Sequence, residues 1–516
     1  MIKKETCFMK TKRFCDVRTE CSAETSLPDY NTDVRKILHV SSKPHPISSF
    51  ASGEGIECSG EVTFEVVYLD FEGAVCSTSF SGDYSFKVKC DTESYKDSLV
   101  ETRLGSLSLR LMSPRKIAAK ATLESCVTVV TEEMHSVGGD ALNADMSPEI
   151  DMLSISAKSV AITPAAEREY GCSLARFDGK TTDEVHLVHL SVKPMVERLD
   201  ATDDEVTLTG RIDVEALIKT DEYLLYRLDK SLELSQKIPL GDIEADADLR
   251  SALEVVSASV ATNGDEGGVE MVLSVITEAR VVGEKNMDAE LISDMYLCDY
   301  PCECAHEIFN YEEYVGRYTA VREISKKISS QELGVGKLRE IIYADATAKI
   351  CEVEHRDNGA LVEGDVYVSA IATEQNDDGS VEFVPLKFSI KISENVNLGC
   401  HIDDKNDVFV NVSLTNTSTM VDIDCVHFKS DVVLSADVSR RCEAKVLTDA
   451  RAVLAEPYYK NPARISVYYP SEGDTLYTVA KAYHTTKEKI ISDNFAVIDT
   501  ASQNGEISSL KHLIIT

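Results

Sequence analysis

The densest group of metal-binding side-chain types in this 516-residue chain is Cys298-Asp299-Tyr300-Pro301-Cys302-Glu303-Cys304-Ala305-His306. On a strand, where successive side chains alternate faces, Cys302, Cys304 and His306 share one side. Two thiolates and an imidazole on one side suit zinc. The C-x-C-x-H spacing, however, lacks the usual two-to-four-residue knuckle, and no second Cys/His pair answers it nearby. These residues therefore read first as partly buried thiols, with the metal site as the weak candidate. His186 and His189 flank Leu187-Val188, a spacing that puts them on opposite faces of a strand and argues against a shared ion. Gly334-Val335-Gly336-Lys337 echoes a phosphate loop without the full G-x-x-x-x-G-K-[ST], and reads as a turn before a helix or strand. No G-x-S-x-G, no H-E-x-x-H and no defensible Ser/His/Asp grouping is present, so neither an enzyme nor a cofactor is expected.

Composition narrows the partners. The chain carries 53 basic and 88 acidic residues, a net charge of −35, which argues against nucleic acid and against passive binding to anionic lipid. At 43% hydrophobic residues, with an ordinary share of charged ones, it reads as folded protein with real cores. No apolar run approaches the length of a membrane span, roughly 18 residues or more. Met1-Ile2-Lys3-Lys4-Glu5-Thr6-Cys7 has charge but no apolar stretch after it, so export by a signal peptide is not expected. Fifteen cysteines without framework spacing then read as reduced thiols in a cytoplasmic protein.

The elements that would position any site are repeated strands. After Gly60, alternate positions are Val62, Phe64, Val66 and Tyr68. After Gly210 they are Ile212, Val214, Ala216 and Ile218, and after Gly364 they are Val366, Val368, Ala370 and Ala372. A period of two with one apolar face predicts a half-buried strand. An apolar pair precedes each glycine at a matching distance: Ile37-Leu38, Leu187-Val188 and Ile341-Ile342. A second alternating run follows, centred on Leu123, Leu273 and Leu434, equally far downstream in the first two copies and slightly farther in the third. The fold class is therefore mainly β: three β-rich domains at 28–165, 166–320 and 321–455. Turn clusters such as Asn376-Asp377-Asp378-Gly379 connect the strands, and the best helical candidates are the short stretches Gln331 to Ile342 and Asp242 to Leu253. Residues 1–27 form an N-terminal arm, open to either an edge strand or a loose segment.

A linker at 456–464 contains Pro457 and Pro462 and leads to a different unit at 465–516. Ile465-Ser466-Val467-Tyr468-Tyr469 reads as a strand, Gly473-Asp474 as a turn with Asp474 able to cap the next helix. Leu476, Val479, Ala480 and Tyr483 fall on one helical face. Thr485-Thr486-Lys487-Glu488 reads as a capping box opening a second short helix, and Leu513-Ile514-Ile515 closes a βααβ unit.

The G-D-T-L turn of Gly473-Asp474-Thr475-Leu476, with Tyr483 before the second helix and Asn494 after it, resembles a LysM domain. Upstream, Leu27-Pro28-Asp29-Tyr30, Val34-Arg35-Lys36-Ile37-Leu38, the glycine-led strands and Ser293-Asp294-Met295-Tyr296 resemble SPOCS domains. Together they are similar to clostridial spore-coat proteins that pair SPOCS domains with a C-terminal LysM domain. Leu297-Cys298 departs from the serine and proline usual there, and Leu510 stands where LysM domains usually have glycine. The resemblance implies a non-enzymatic adaptor of the mother-cell cytoplasm, at the forespore surface, tethering the coat's morphogenetic ATPase. It also implies LysM loops, Gly473 to Leu476 and Asn494, Phe495, Ala496 and Val497, that could hold N-acetylglucosamine glycans; a peptidoglycan-binding protein is the alternative. The departure at Leu510 turns the expectation toward protein: an exposed Leu510 beside Tyr477 would be the docking anchor. Exposed strand edges of the β domains would serve self-association.

Overall fold

Long runs with every second residue apolar can bury that face only by pairing into a sheet and stacking the sheet on another. The computed structural model does this three times. It describes residues 5–142, 146–220, 224–376, 378–423, 425–459, 465–498 and 506–516; positions 460–464 of the expected linker and Asp377 of the expected turn lie outside this set.

The first unit contains β1 (Glu5–Ser26), β2 (Lys36–Pro44), β3 (Ser48–Ser52), β4 (Gly55–Leu69), β5 (Val75–Val88), β6 (Tyr95–Ser113) and β7 (Lys116–Ser136). One sheet runs β1-β7-β6; the other centres on β4, paired with β5 on one side and with β2 and β3 on the other. The second unit contains β8 (Glu149–Ile162), β9 (Ala166–Asp178), β10 (Val185–Ala201), β11 (Glu205–Thr220), β12 (Leu224–Pro239), β13 (Asp248–Asp265) and β14 (Gly268–Tyr296). Here β10-β11-β12 form one sheet, and β14 is flanked by β13 and, end to end, by β9 and β8. The third unit contains β15 (Cys302–Ser329), β16 (Lys337–Arg356), β17 (Gly359–Gln375), β18 (Val381–Asn397), β19 (Asn406–Asp422) and β20 (Cys425–Ala452), in sheets β15-β20-β19 and β16-β17-β18. These strands pair antiparallel throughout, and the same strand order recurs in each unit.

The alternating residues face inward as sandwich cores. Val62 and Phe64 meet Ala121 and Leu123, Ile212 and Val214 meet Leu273 and Val275, and Val366 and Val368 meet Phe428 and Leu434. The leading glycines sit where an edge strand crowds the central one. A Cβ on Gly210 would lie 2.0 Å from the Met195 carbonyl oxygen, and one on Gly364 2.3 Å from that of Lys349. Both positions adjoin a bulge in the edge strand, which pushes its backbone toward the centre.

The hydrogen bonding corrects the domain boundaries and the helices, and resolves the N-terminal arm to its edge-strand alternative. The second unit begins before residue 166, because β8 pairs with β14; the 320/321 boundary falls inside β15, which pairs with β20. The reason is that the sequence landmarks start at β2, β10 and β16, so the strands ahead of them carried no landmark: β8 was assigned to the preceding domain and β15 was cut in two. The N-terminal arm is the corresponding first strand, β1, paired with β7 along its length. Neither proposed helix forms: Gln331 to Ile342 is a turn, with Gly334 at φ +67°, running into β16. Asp242 to Leu253 is likewise a turn running into β13, where pairing along β14 overrides local propensity.

The units close on one another cyclically. β2 touches β17 and β18, β10 touches β4 and β5, and β16 touches β12. Each of β2, β10 and β16 skips one residue in its ladder at the same place: Leu38, Val188 and Ile342. These three side chains, with Val67, Leu217 and Ile371 from the central strands, form one shared apolar cluster. The residue after each bulge meets its counterparts: ring centroids are 5.4 Å apart for His39–His189, 5.1 Å for His39–Tyr343 and 4.6 Å for His189–Tyr343. His39 Nδ1 lies 3.0 Å from Ser369 Oγ of the third unit, and His189 Nδ1 lies 3.0 Å from Glu65 Oε2 of the first. Asp345, also facing this junction, pairs with Lys193 at 2.5 Å. The junction thus approximates a threefold axis built from one chain.

Burial, then neighbouring His189, lowers the His39 pKa from 6.5 to about 3, with Asp345 opposing and Lys387 and Lys193 adding to the shift. The folded protein holds the neutral ring, while the unfolded chain takes up its proton near pH 6.5. Stability from this group is therefore complete above pH 6.5 and is lost as pH falls toward 3. Between pH 7.5 and 5 wild type should lose about 2 kcal/mol more than His39→Gln in urea unfolding. A difference independent of pH would refute the buried neutral imidazole.

Candidate functional site

The C-terminal residues form β21 (Ser466–Tyr468), α1 (Leu476–Tyr483), α2 (Lys487–Asp493) and β22 (Leu513–Ile515), with β21 and β22 antiparallel. Gly473 adopts φ +86°, a conformation glycine takes without steric cost, and turns the chain into α1. Asp474 does not cap that helix. Its Oδ2 accepts hydrogen bonds from the Ser471 amide at 2.7 Å and the Tyr468 hydroxyl at 2.6 Å. Those bonds hold its carboxyl below the usual range and push Tyr468 up to about 12. The cap is Thr475, one residue later, whose side chain accepts from the Thr478 amide at 3.2 Å. The second helix is shifted in the same sense: Thr486 caps it, accepting from the Lys489 amide at 3.1 Å.

Leu476, Val479 and Ala480 are buried as the apolar face requires, with Ile490, Ile507 and Leu513 opposite. Asn494 is a brace. Its amide donates to the carbonyl oxygens of Ile490 and Ile514, and its Oδ1 accepts from the Ile514 amide, fastening β22 to the end of α2. The bonds of the first loop run elsewhere, from the Gly473 amide to Glu506 and from the Ile507 amide to the Asp474 carbonyl. Of the proposed contact residues, Gly473, Phe495 and Ala496 are exposed, and Asp474, Thr475 and Leu510 are half-buried.

Tyr477 and Leu510 are not the expected exposed pair. Tyr477 is 7% exposed, because it packs inward on Tyr296 at the end of β14, ring centroids 5.4 Å apart. Tyr296 donates from its hydroxyl to the Thr485 carbonyl at 2.7 Å. Lys481 pairs with Asp294, and the Tyr458 ring stacks on His484 at 3.6 Å. Burial raises both Tyr296 and Tyr477 above the usual tyrosine range. The anchor expected for a foreign partner is used within the chain, and Leu510 lies against the same core.

Cys302, Cys304 and His306 do share the half-buried side of β15. The two sulfurs are 3.5 Å apart, Cys304 Sγ donates to the Met295 carbonyl at 3.4 Å, and His306 Nε2 lies 3.5 Å from Asp294. Their polar atoms are thus directed at the end of β14. Among the described residues no group of three His, Cys, Asp or Glu side chains has metal-holding geometry. The expectation that His186 and His189 lie on opposite faces is corrected: the bulge at Val188 shifts the alternation, so they stand opposite Lys219 and Leu217 on one face, His186 exposed and His189 buried at the junction.

The outer side of this unit is apolar. Ile465, Val467 and Tyr469 alternate along β21 and its flanks at 70%, 51% and 71% exposure, with Ile514 opposite Val467. Phe495 and Val497, after α2, are exposed at 81% and 51%. Sequence reasoning named Phe495 but passed over the strand face, although its i, i+2, i+4 spacing with Ile514 was the available signal. The axial His39 and Tyr343 were missed as well, and His189 was weighed only as a partner of His186.

No family model matches this chain, and no curated protein matches it. A match to the Faustovirus major capsid protein, at 8% identity over 87% of this chain and 92% of that chain, has a TM-score of 0.09 and carries no argument.

Tyr296 lies on the body and packs into the core of the small unit, so a substitution that keeps its ring tests the docking hydrogen bond alone. Tyr296→Phe removes one buried hydrogen bond, about 1 kcal/mol, and should speed proteolytic release of residues 465–516 by roughly fivefold. Unchanged cleavage would place the docking energy elsewhere.

Proposed function

We propose that this chain is a non-enzymatic adaptor of endospore coat assembly, acting in the mother-cell cytoplasm at the forespore surface. In this reading the three β-sandwiches are SPOCS-like domains forming a rigid platform with strand edges available for self-association. The C-terminal βααβ unit is LysM-like and docks the coat's morphogenetic ATPase. The observation that carries the reading is the outer face of Ile465, Val467, Tyr469 and Ile514. Aliphatic and aromatic side chains exposed together match the desolvated centre of a protein interface. Glycan recognition leans instead on convergent polar groups, and Asn494, which could have supplied them, spends its amide on β22.

The test uses the full chain with purified ATPase and, separately, N-acetylglucosamine oligomers and peptidoglycan. The ATPase should be retained, and Tyr469→Ser with Val467→Ser should weaken retention by about 30-fold or more, the effect of losing a hot spot. Retention unaffected by the substitutions would remove this face from the proposal. Saturable glycan binding with no ATPase retention would replace the adaptor with a wall-binding protein.

A further inference from the structure

We propose that Cys15 and Cys126 form a redox-closable pair, which a low-molecular-weight disulfide such as oxidised glutathione converts into an intramolecular disulfide clamping the N-terminal strand. The two sulfurs lie 2.9 Å apart, closer than the 3.5 Å of Cys302 and Cys304. The backbone explains the approach. β1 pairs with β7 in one register up to Phe14 opposite Val127 and resumes one step out with Val17 opposite Ser125. Cys126 is therefore the single residue facing the two-residue bulge at positions 15 and 16. A bulge re-aims a side chain, and here it turns Cys15 toward the residue across the ladder. Residues opposite one another in an antiparallel pair have Cα atoms roughly 4.5–5.5 Å apart, inside the disulfide range of about 4.4–6.8 Å. Cys302 and Cys304, two residues apart on one strand, stand roughly 6.6 Å apart, at the far end of that range.

Access is divided as a two-step exchange requires. Cys15 is exposed, on an edge strand, and Cys126 is half-buried beneath it. The Cys15 thiolate attacks one sulfur of oxidised glutathione, forming a mixed disulfide and expelling one glutathione thiolate. Cys126, after losing its proton to solvent, attacks Cys15 Sγ; the new S–S bond forms as the second glutathione thiolate leaves. Two thiols of the protein are oxidised and one glutathione disulfide is reduced to two thiols. The bond would fix the middle of β1, two residues from Arg13, whose guanidinium lies 2.7 Å from Glu284 of the second unit. Oxidation would thereby tighten the strand that ties the first unit to the others.

The full-length chain is equilibrated with graded ratios of oxidised to reduced glutathione, quenched with a thiol alkylator, digested and mapped by mass spectrometry. The peptide cross-linked through Cys15 and Cys126 should appear at the lowest oxidant ratio, two hydrogen atoms lighter than its parts, with the other thirteen cysteines alkylated. Cys126→Ser should strand Cys15 as the glutathione mixed disulfide, and Cys302→Ser should change nothing. Oxidised wild type should unfold at higher urea than reduced, and Cys15→Ser should not respond. A persistent mixed disulfide at Cys15 in wild type, or another cross-link formed first, would overturn the proposal.

Discussion

A buried carboxylate constrains the whole body of this protein. Glu284 on β14 has no exposed surface, and an unpaired charge in that position would cost several kcal/mol. It is met by Arg13 of β1 at 2.7 Å, Lys158 of β8 at 3.2 Å and Arg317 of β15 at 3.4 Å. Arg317 also reaches Asp437 of β20 at 2.6 Å, and Arg13 lies 3.7 Å from it. Every unit contributes a charge to one cluster, so no unit can complete it alone. Arginine suits this position because its planar fork serves two carboxylates at once. The second junction, around His39, His189 and Tyr343, imposes the same dependence through apolar burial. There Val67, Leu217 and Ile371 lie on the outward faces of their central strands and are covered only by neighbouring units. Three sandwiches of similar plan are thus obliged to form one body.

Much of that plan was legible. Strict alternation after Gly60, Gly210 and Gly364 sets which residues face a core, because the strand period is two whatever the topology. The same runs carried the sign of the axis: an apolar residue seven places after each glycine interrupts the polar face. Its meaning was not readable, since alternation assigns faces and says nothing about which unit covers them. Gln331 to Ile342 and Asp242 to Leu253 misled for a related reason. Their local composition tolerates a helix, and only the need to pair along β17 and β14 decides for strand. The first strands of the units escaped because β1 is polar on most positions and takes its structure from β7 rather than from a pattern of its own.

The C-terminal unit divides along similar lines. The Gly473 turn and the buried face of α1 follow from residues close in sequence, and both were legible. The helix caps fell one residue from their expected places because Asp474 and Thr475 both can cap, and the Tyr468 hydroxyl claims Asp474 first. Tyr477 could not be placed, because its burial depends on Tyr296, which belongs to the second β unit and lies far from it in the chain. A residue's exposure is a property of tertiary docking, and a motif confined to one short C-terminal unit does not contain it.

Docking also separates what the two faces of that unit can do. The inner face, Tyr477 with Lys481 and Thr485, is occupied by Tyr296 and Asp294. A partner that reads Tyr477 must first displace the body, so its apparent affinity falls by the fraction of molecules in which the unit is released. The outer face of Ile465, Val467, Tyr469 and Ile514 carries no such penalty, and under the proposed function a partner would bind it with the unit in place. A partner held there would be positioned rigidly relative to the three sandwiches, because the edge-to-face tyrosines, the Tyr296 hydrogen bond and the Tyr458–His484 stack restrain rotation of the unit. A flexible tether would need none of these contacts. Under the proposed adaptor reading, they would set the orientation of the partner as well as its location.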